Sequence, residues 1–198
     1  MADLYKTISE ASTAQIREKM SRFIVFAHPV ATVEEAKAVV AEYQRKYHDA
    51  RHVCWAYMIG HNRDLFMSND NGEPSGTAGK PILGQINSFG LTNIVIVVVR
   101  YFGGIKLGTP GLIQAYREAA RSAIESATII EERVKVSATV TFGYVSLTPV
   151  MRLLKNPGVT IQSQQFDNTC SITFATAADD MDPLLSQLKK VEGLSVIG

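Results

Sequence analysis

The sequence contains 198 residues, of which 46% are hydrophobic and 20% are charged, and its formal net charge is +1 at pH 7. This is the composition of an ordinary globular protein, and it excludes a disordered chain and a single miniature module. The near-neutral charge also excludes the globally basic surface of a strong nucleic-acid binder, so any contact with nucleic acid must use a local patch.

The cysteines and the apolar runs indicate the cellular environment. Cys54 and Cys170 have no CxxC partner, so we expect neither a zinc site nor a disulfide framework. The apolar run at residues 94–99 is far shorter than the roughly 20 residues of a membrane span. The N-terminus does not show a basic stretch followed by an apolar one, so no signal peptide is expected. We therefore predict a cytoplasmic protein without a membrane partner.

The first two thirds of the chain predict a mixed α+β domain over residues 1–130. Thr32 and Glu35 form a capping box that predicts the start of a helix. The uninterrupted apolar run at 94–99 predicts a central strand that is covered on both faces. Thr109 is predicted to cap a further helix, with Pro110 as its first residue. The other predicted elements are strands near 5–9, 15–20, 23–27 and 53–59 and a helix over 77–88.

A composition shift at residues 131–133 predicts a second domain over residues 133–198. Its pattern is a strand (134–142), a helix from Thr148, two strands (159–166 and 169–176), a helix from Asp182 and a last strand (194–197). The order βαββαβ is that of a ferredoxin-like domain. This fold hosts many functions, so it indicates none by itself.

Residues 69–81, here called the first glycine loop, precede a predicted helix and could hold an anion on their backbone amides. They do not form a Walker A loop, because Pro74 stands where the first glycine belongs and Pro81 stands where Ser or Thr should bind magnesium. Nucleotide hydrolysis of the P-loop type is therefore excluded.

Residues 100–111, here called the second glycine loop, lie between a buried strand and a helix. In that position, free N–H groups and the positive end of the helix dipole face an incoming ligand, and the glycines let a phosphate approach the backbone. The alternative is that Gly103, Gly104 and Gly108 only form tight turns and that Lys106 is solvated.

Other candidate residues are weaker. His48 and His52 have the spacing of metal ligands on a helix, but the HExxH motif is missing, and no metal site is expected. Cys54 lies in an apolar strand and is expected to act as a small hydrophobe rather than a catalytic thiol. Ser75 lacks the GxSxG context of a serine hydrolase, although His52 could approach it.

The two loops resemble those of a known family. The motifs Gly-Glu-Pro-Ser-Gly-Thr-Ala-Gly and Arg-Tyr-Phe-Gly-Gly occur as residues 72–79 and 100–104. Together with residues 18–24 and 52–57, they closely resemble the IMPACT/YigZ family over residues 15–125. The C-terminal part resembles the second domain of the bacterial members.

This resemblance implies an α+β protein in two domains. The first would resemble ribosomal proteins and domain IV of elongation factor G, and the second would be ferredoxin-like, like domain V of that factor. It also implies a role in translation. Eukaryotic relatives bind the activator of a stress kinase with the help of an additional N-terminal domain, so that partner is not expected here. The resemblance implies no catalytic residue and no cofactor.

The sequence departs from the family pattern at two positions. Asp70-Asn71 stands where the family usually has two consecutive acids, which weakens any proposal of a metal bound by paired carboxylates. Pro110 replaces a common glycine after the threonine, which suits a helix N-terminus.

Our preferred hypothesis is a translation-associated, non-enzymatic protein that binds RNA or the ribosome through both glycine loops. Lys80, Arg100 and Lys106, with Thr109, would then meet phosphates. The alternatives are an enzyme acting on a small phosphorylated or peptide-like substrate with Glu73 as general base, and a protein-interaction module with a protein partner in translation control. The candidate binding residues are Glu73, Ser75, Gly76, Thr77, Gly79, Lys80, Arg100, Tyr101, Gly103, Gly104, Lys106 and Thr109.

Overall fold

The computed structural model describes residues 3–197, and it confirms the mixed α+β class. The chain divides into two compact units, Tyr5–Glu132 and a second unit that runs from Arg133 onward and also includes Leu4. Within the described residues, no helix is long and apolar enough to cross a membrane.

The first unit contains a five-stranded antiparallel sheet and three helices. Its elements are β1 (Leu4–Ile8), β2 (Ser12–Glu18), β3 (Ser21–Pro29), α1 (Val33–Lys46), β4 (His52–Ile59), β5 (Leu65–Asn69), α2 (Gly79–Ser88), β6 (Ile94–Tyr101), α3 (Gly108–Ser126) and β7 (Ile129–Arg133). The large sheet has the order β2-β3-β6-β4-β5, and β1 pairs with β7 in a small separate sheet.

Strand β6 lies at the centre of this sheet and confirms the prediction of a strand buried on both faces. Ile94, Ile96 and Val98 belong to the same core cluster as residues of α2 and α3. The intervening valines, residues 95, 97 and 99, belong to a second cluster with residues of α1. Because successive side chains of a strand point to opposite faces, one apolar run serves both cores.

Two predicted helix starts have different outcomes. At α1 the Thr32 side chain accepts the N–H of Glu35, as predicted, and the Glu35 carboxylate accepts the N–H of Ala31. At α3 the prediction that Thr109 is the cap is wrong, because the helix begins at Gly108 and its cap residue, Leu107, makes no side-chain hydrogen bond. Pro110 is therefore the third helical residue, where its missing N–H has no intrahelical partner to lose.

The second unit shows the predicted βαββαβ order. Its elements are β8 (Lys135–Gly143), a 3-10 turn at Tyr144–Ser146, α4 (Leu147–Leu154), β9 (Thr160–Phe166), β10 (Thr169–Ala177), α5 (Ala178–Leu188) and β11 (Ser195–Ile197). The strands form an antiparallel sheet in the order β11-β8-β10-β9. Helix α5 begins at Ala178 rather than at Asp182, so Pro183 lies inside the helix instead of at its start.

Candidate functional site

A buried ion pair joins the two glycine loops. Arg100, at the end of β6, donates from one guanidinium nitrogen to Oε1 of Glu73 at 2.6 Å, and both side chains are almost fully buried. The same Oε1 accepts the hydroxyl of Tyr116 from α3 at 2.7 Å. A charge that is buried without its partner costs several kcal/mol, so this pair fixes the first loop against the end of β6.

The groups beneath the pair are held in their neutral forms. Burial raises the pKa of the Cys54 thiol to about 12, and Sγ lies 3.0 Å from the carbonyl oxygen of Asp70, to which it donates. Burial likewise raises the pKa of the Tyr116 hydroxyl. A thiol of this kind is protonated at neutral pH and inert, which agrees with the expectation that Cys54 is a packing residue.

This geometry changes the roles expected of Glu73 and Arg100. Arg100 is only 5% exposed, and its charge is already paired, so it is poorly placed to neutralise a phosphate. Glu73 accepts two hydrogen bonds on Oε1, one of them from a cation, so this oxygen is already occupied within the fold. The structure therefore favours a positioning role for both residues.

The first glycine loop satisfies its own backbone. The Asp70 carboxylate accepts the N–H groups of Gly76, Ala78 and Gly79 at 2.8, 3.1 and 2.8 Å, at the N-terminus of α2. Burial alone would raise the pKa of this carboxyl, but these three N–H donors and the charge of Lys80 lower it below its ordinary value. The amides expected to hold an external anion are thus already occupied by an internal one.

Asn71 connects the first glycine loop to strand β4. Its φ is +43°, a left-handed conformation that asparagine tolerates better than most residues. Its Oδ1 accepts the N–H of Val53, and its carbonyl oxygen lies 2.8 Å from Nδ1 of His52. The amide side chain therefore anchors the first loop to β4. Among residues 3–197, no group of three or more His, Cys, Asp or Glu is arranged to hold a metal ion.

A cavity of about 490 Å³ opens at the second glycine loop and the start of α3. Its size lies within the range of small-ligand sites. Three of its lining residues are exposed and chemically prominent: the cations Arg51 and Lys106 and the aromatic Phe102. The lining consists of Arg51, His52, Gly72, Glu73, Pro74, Arg100, Phe102, Lys106, Leu107, Gly108, Thr109 and Leu112.

The structure brings only part of the predicted set to this cavity. Glu73, Arg100, Lys106 and Thr109 line it. Gly76 and Lys80 line a separate groove together with Arg117 of α3. Lys80 and Lys106, which were expected to meet phosphates together, therefore lie in different depressions.

The remaining predicted residues shape the loops. Thr77 donates its hydroxyl to the carbonyl of Pro74, and Tyr101 donates its hydroxyl to Asp49 at 2.9 Å. A Cβ at Gly79 would lie 2.7 Å from the backbone nitrogen of Asn69, so only glycine fits there. Ser75 is exposed and does not line the cavity, so no serine-histidine pair forms there with His52.

Two glycines of the second loop are required for different reasons. At Gly103 a Cβ would lie 2.1 Å from the backbone of Met20, so the loop packs directly on the turn between β2 and β3. At Gly104 the space is open, but φ is +90°. The turn-forming role of these glycines is thus real, and it leaves Lys106 exposed beside the cavity.

Sequence reasoning did not place Arg51, His52, Phe102 or Tyr116 in the site. His52 was weighed only as a metal ligand or as a partner of Ser75. The signal that could have found these residues is register: His52 lies opposite Arg100 in the pairing of β4 with β6, so both reach the same end of the sheet. No local pattern indicates Tyr116, because its hydroxyl contact with Glu73 joins residues that are far apart in the sequence.

A comparison with solved structures gives a match over the full length of this chain. A solved structure, the crystal structure of a hypothetical protein, covers 100% of this chain and 98% of its own at a TM-score of 0.81 and 31% identity. A structure of the two-domain translational regulator Yih1 overlaps less, with a TM-score of 0.37 and 24% identity over 62% of this chain and 47% of that one.

Sequence relatives identify the family. An IMPACT family member of Haemophilus influenzae is 36% identical over 90% of this chain and 88% of its own length. The IMPACT family member YvyE of Bacillus subtilis is 39% identical over 68% of this chain, and the match spans 62% of that protein. Residues 19–124 match the family model of the Impact N-terminal domain. The chain therefore belongs to the IMPACT family.

Proposed function

We propose that this protein acts in translation control by binding RNA, alone or within the ribosome, at the cavity of the second glycine loop. The translation context rests on the IMPACT family. The binding mode rests on one observation: the N-terminus of α3 has no side-chain cap and opens into a cavity lined by Lys106 and Arg51. A helix N-terminus with free N–H groups attracts phosphate, and nearby cations add to that attraction.

The proposal assigns different tasks to the predicted residues. Lys106, Arg51 and the first turn of α3 around Thr109 contact phosphate. Glu73 and Arg100 hold the two loops together through their buried ion pair. Contacts to the sugar-phosphate backbone supply affinity without base selectivity. We therefore expect binding to structured or single-stranded RNA without a preference for one sequence.

Co-sedimentation with ribosomes and binding to single-stranded RNA, both measured from about 50 to 200 mM salt, test this function. We expect Lys106→Ala to weaken binding by about 1 kcal/mol and to reduce the salt slope by about one. Lys37→Ala, an exposed lysine on α1 outside the cavity, is the matched control.

Lys80→Ala tests the hypothesis from the sequence that both glycine loops form one binding surface. Because Lys80 lines the separate groove, we expect this variant to behave like the control. A loss equal to that of Lys106→Ala would restore a single surface that includes both loops. Binding that is independent of salt and of Lys106 would contradict the proposal and favour a protein-interaction module.

One observation keeps an enzyme as the second candidate. Nε2 of His52 lies 3.8 Å from Oε2 of Glu73 in the same cavity, and a histidine beside a carboxylate is a common arrangement for general acid-base catalysis. In that case His52 rather than Glu73 would move the proton. Turnover of a phosphorylated or peptide-like substrate that His52→Gln abolishes would establish this candidate.

A further inference from the structure

Two polar atoms of the cavity have unmet hydrogen-bonding capacity. Glu73 is 8% exposed, and its Oε1 is occupied by Arg100 and Tyr116. Within residues 3–197, its Oε2 accepts no hydrogen bond, and the nearest cationic partner is Nε2 of His52 at 3.8 Å. That distance is too long for a hydrogen bond, so this carboxylate oxygen lies at the cavity without a donor from the described residues.

The orientation of the His52 ring is fixed from its other side. Nδ1 lies 2.8 Å from the carbonyl oxygen of Asn71, which can only accept, so Nδ1 carries a proton. In the doubly protonated ring, Nε2 donates as well. A hydroxyl placed between Nε2 and Oε2 of Glu73 would then accept from Nε2 and donate to Oε2, so both side chains would hold it.

The same cavity offers partners for two further chemical groups. Lys106 and Arg51 with the uncapped start of α3 suit a phosphate. Phe102, which is 43% exposed, has the guanidinium of Arg100 5.6 Å from its ring centre and presents an aromatic surface on which a base can stack. A phosphate, a ribose with its hydroxyl groups and a planar base occur together in one ribonucleotide.

We propose that the cavity binds one ribonucleotide unit of single-stranded RNA and that Glu73 and His52 select RNA over DNA through its 2′-hydroxyl. This inference rests on the proposed function and adds the class of nucleic acid. The 2′-hydroxyl is the group that distinguishes RNA from DNA at a single site. A hydrogen bond to a charged carboxylate is among the stronger ones, so its loss is measurable.

The test is fluorescence anisotropy with oligonucleotides of about ten residues, a length suited to single-strand grooves. RNA is compared with DNA of the same sequence containing deoxyuridine, and with 2′-O-methyl RNA, which cannot donate from the 2′ position. We expect the wild-type protein to bind RNA about tenfold more tightly than either analogue.

His52→Gln should reduce this RNA preference toward one. His48→Ala, an exposed histidine outside the cavity, is the control and should retain the preference. Glu73→Gln should also lose the preference. Because Glu73 belongs to a buried ion pair, the folding of the Glu73→Gln variant is checked by thermal melting. The comparison with 2′-O-methyl RNA uses the wild-type protein and does not depend on any variant.

The possible outcomes distinguish the failure of ribose selectivity from the failure of RNA binding itself. Salt-dependent binding of RNA, DNA and 2′-O-methyl RNA with equal affinity would overturn the ribose selectivity and leave RNA binding intact. No binding of any of them would overturn both. Competition by ribonucleoside monophosphate, but not by its deoxy form, would support the same hydroxyl contact and identify a free nucleotide rather than a chain as the ligand.

Discussion

The two glycine loops lead into two helices, yet only one of the helix starts is open. At α2 the Asp70 carboxylate accepts three N–H groups, whereas α3 has no side-chain cap and faces a cavity. Both loops are rich in glycine, and both precede a helix. The difference shows that glycine content and a following helix do not by themselves leave backbone amides free for a ligand.

The loops are nevertheless coupled in stability. Glu73 belongs to the first loop and Arg100 opens the second, so the buried ion pair ties them together. A change that opens one loop should therefore also destabilise the other, whereas the proposed ligand contacts lie in the cavity. Substitutions can separate loop stability from ligand contact.

The largest effect is expected from Arg100→Ala, which leaves the buried Glu73 carboxylate without its cation. We expect the free energy of unfolding to fall by about 3–5 kcal/mol. The control is Arg100→Met combined with Glu73→Gln, in which a neutral amide still accepts the Tyr116 hydroxyl and at least half of the loss should be recovered. Urea denaturation measures both, and a loss below about 1 kcal/mol for Arg100→Ala would contradict a structural role for the pair.

A smaller effect is expected from Asp70→Ala, which removes the internal acceptor at α2. The unfolding free energy should fall by about 1–2 kcal/mol, as for the loss of a helix cap. The opened amides of Gly76, Ala78 and Gly79 should then attract an anion, so sulfate should raise the melting temperature of this variant more than that of the wild type. Equal sulfate responses would show that α2 does not become an anion site.

Asp70 also predicts a pH dependence. Its folded-state pKa is lowered, so in the acid range the folded protein binds fewer protons than the unfolded chain. The stability from this carboxylate is complete above its unfolded pKa of about 3.9 and is lost as pH falls through the folded value. The stability difference between the wild type and Asp70→Asn should therefore shrink below about pH 4. A difference that stays constant down to pH 2 would be inconsistent with this assignment.

Gly104→Ala should cost about 1 kcal/mol, because its φ of +90° is strained for alanine while the space around it is open. Gly90 is a matched control outside the site, since it also has a positive φ, of +65°, and open space. Equal losses in thermal unfolding would show that the strain at Gly104 is local. A loss several times that of Gly90→Ala would mean that the loop has a second packing constraint.

The smallest stability effect is expected from Lys106→Ala. Its side chain is exposed, so the unfolding free energy should change by no more than about 0.5 kcal/mol. Paired with the binding loss proposed above, this result would separate ligand contact from folding. A large drop in melting temperature would instead assign Lys106 to the structure of the loop.

Local patterns predicted the elements but not the site. Strand β8, the apolar strand β6 and the capping box at α1 are determined by residues a few positions apart, and all three are present in the structure. Strand β5 was missed because three consecutive exposed apolar residues show no period of two.

The site itself depends on contacts between distant segments. The sequence motifs indicated Glu73 and Arg100 as functional residues, but not that they pair with each other across the fold. Asp70 was recognised as an acid of the motif. The motif does not show that the chain then turns back and brings the N–H groups of Gly76, Ala78 and Gly79 to the Asp70 carboxylate. Loop closure, rather than local propensity, decides such contacts.

The cysteine positions give the protein two internal reporters of conformational opening. Cys54 lies in the first unit beneath the ion pair and Cys170 lies in the second, and both are fully buried. A thiol reagent can reach either one only after its surroundings open transiently. In Cys170→Ala, the labelling rate of the remaining Cys54 would report how often the first unit opens. In Cys54→Ala, the labelling rate of Cys170 would report the same for the second unit. A ligand in the cavity should slow labelling at Cys54 while leaving Cys170 unchanged.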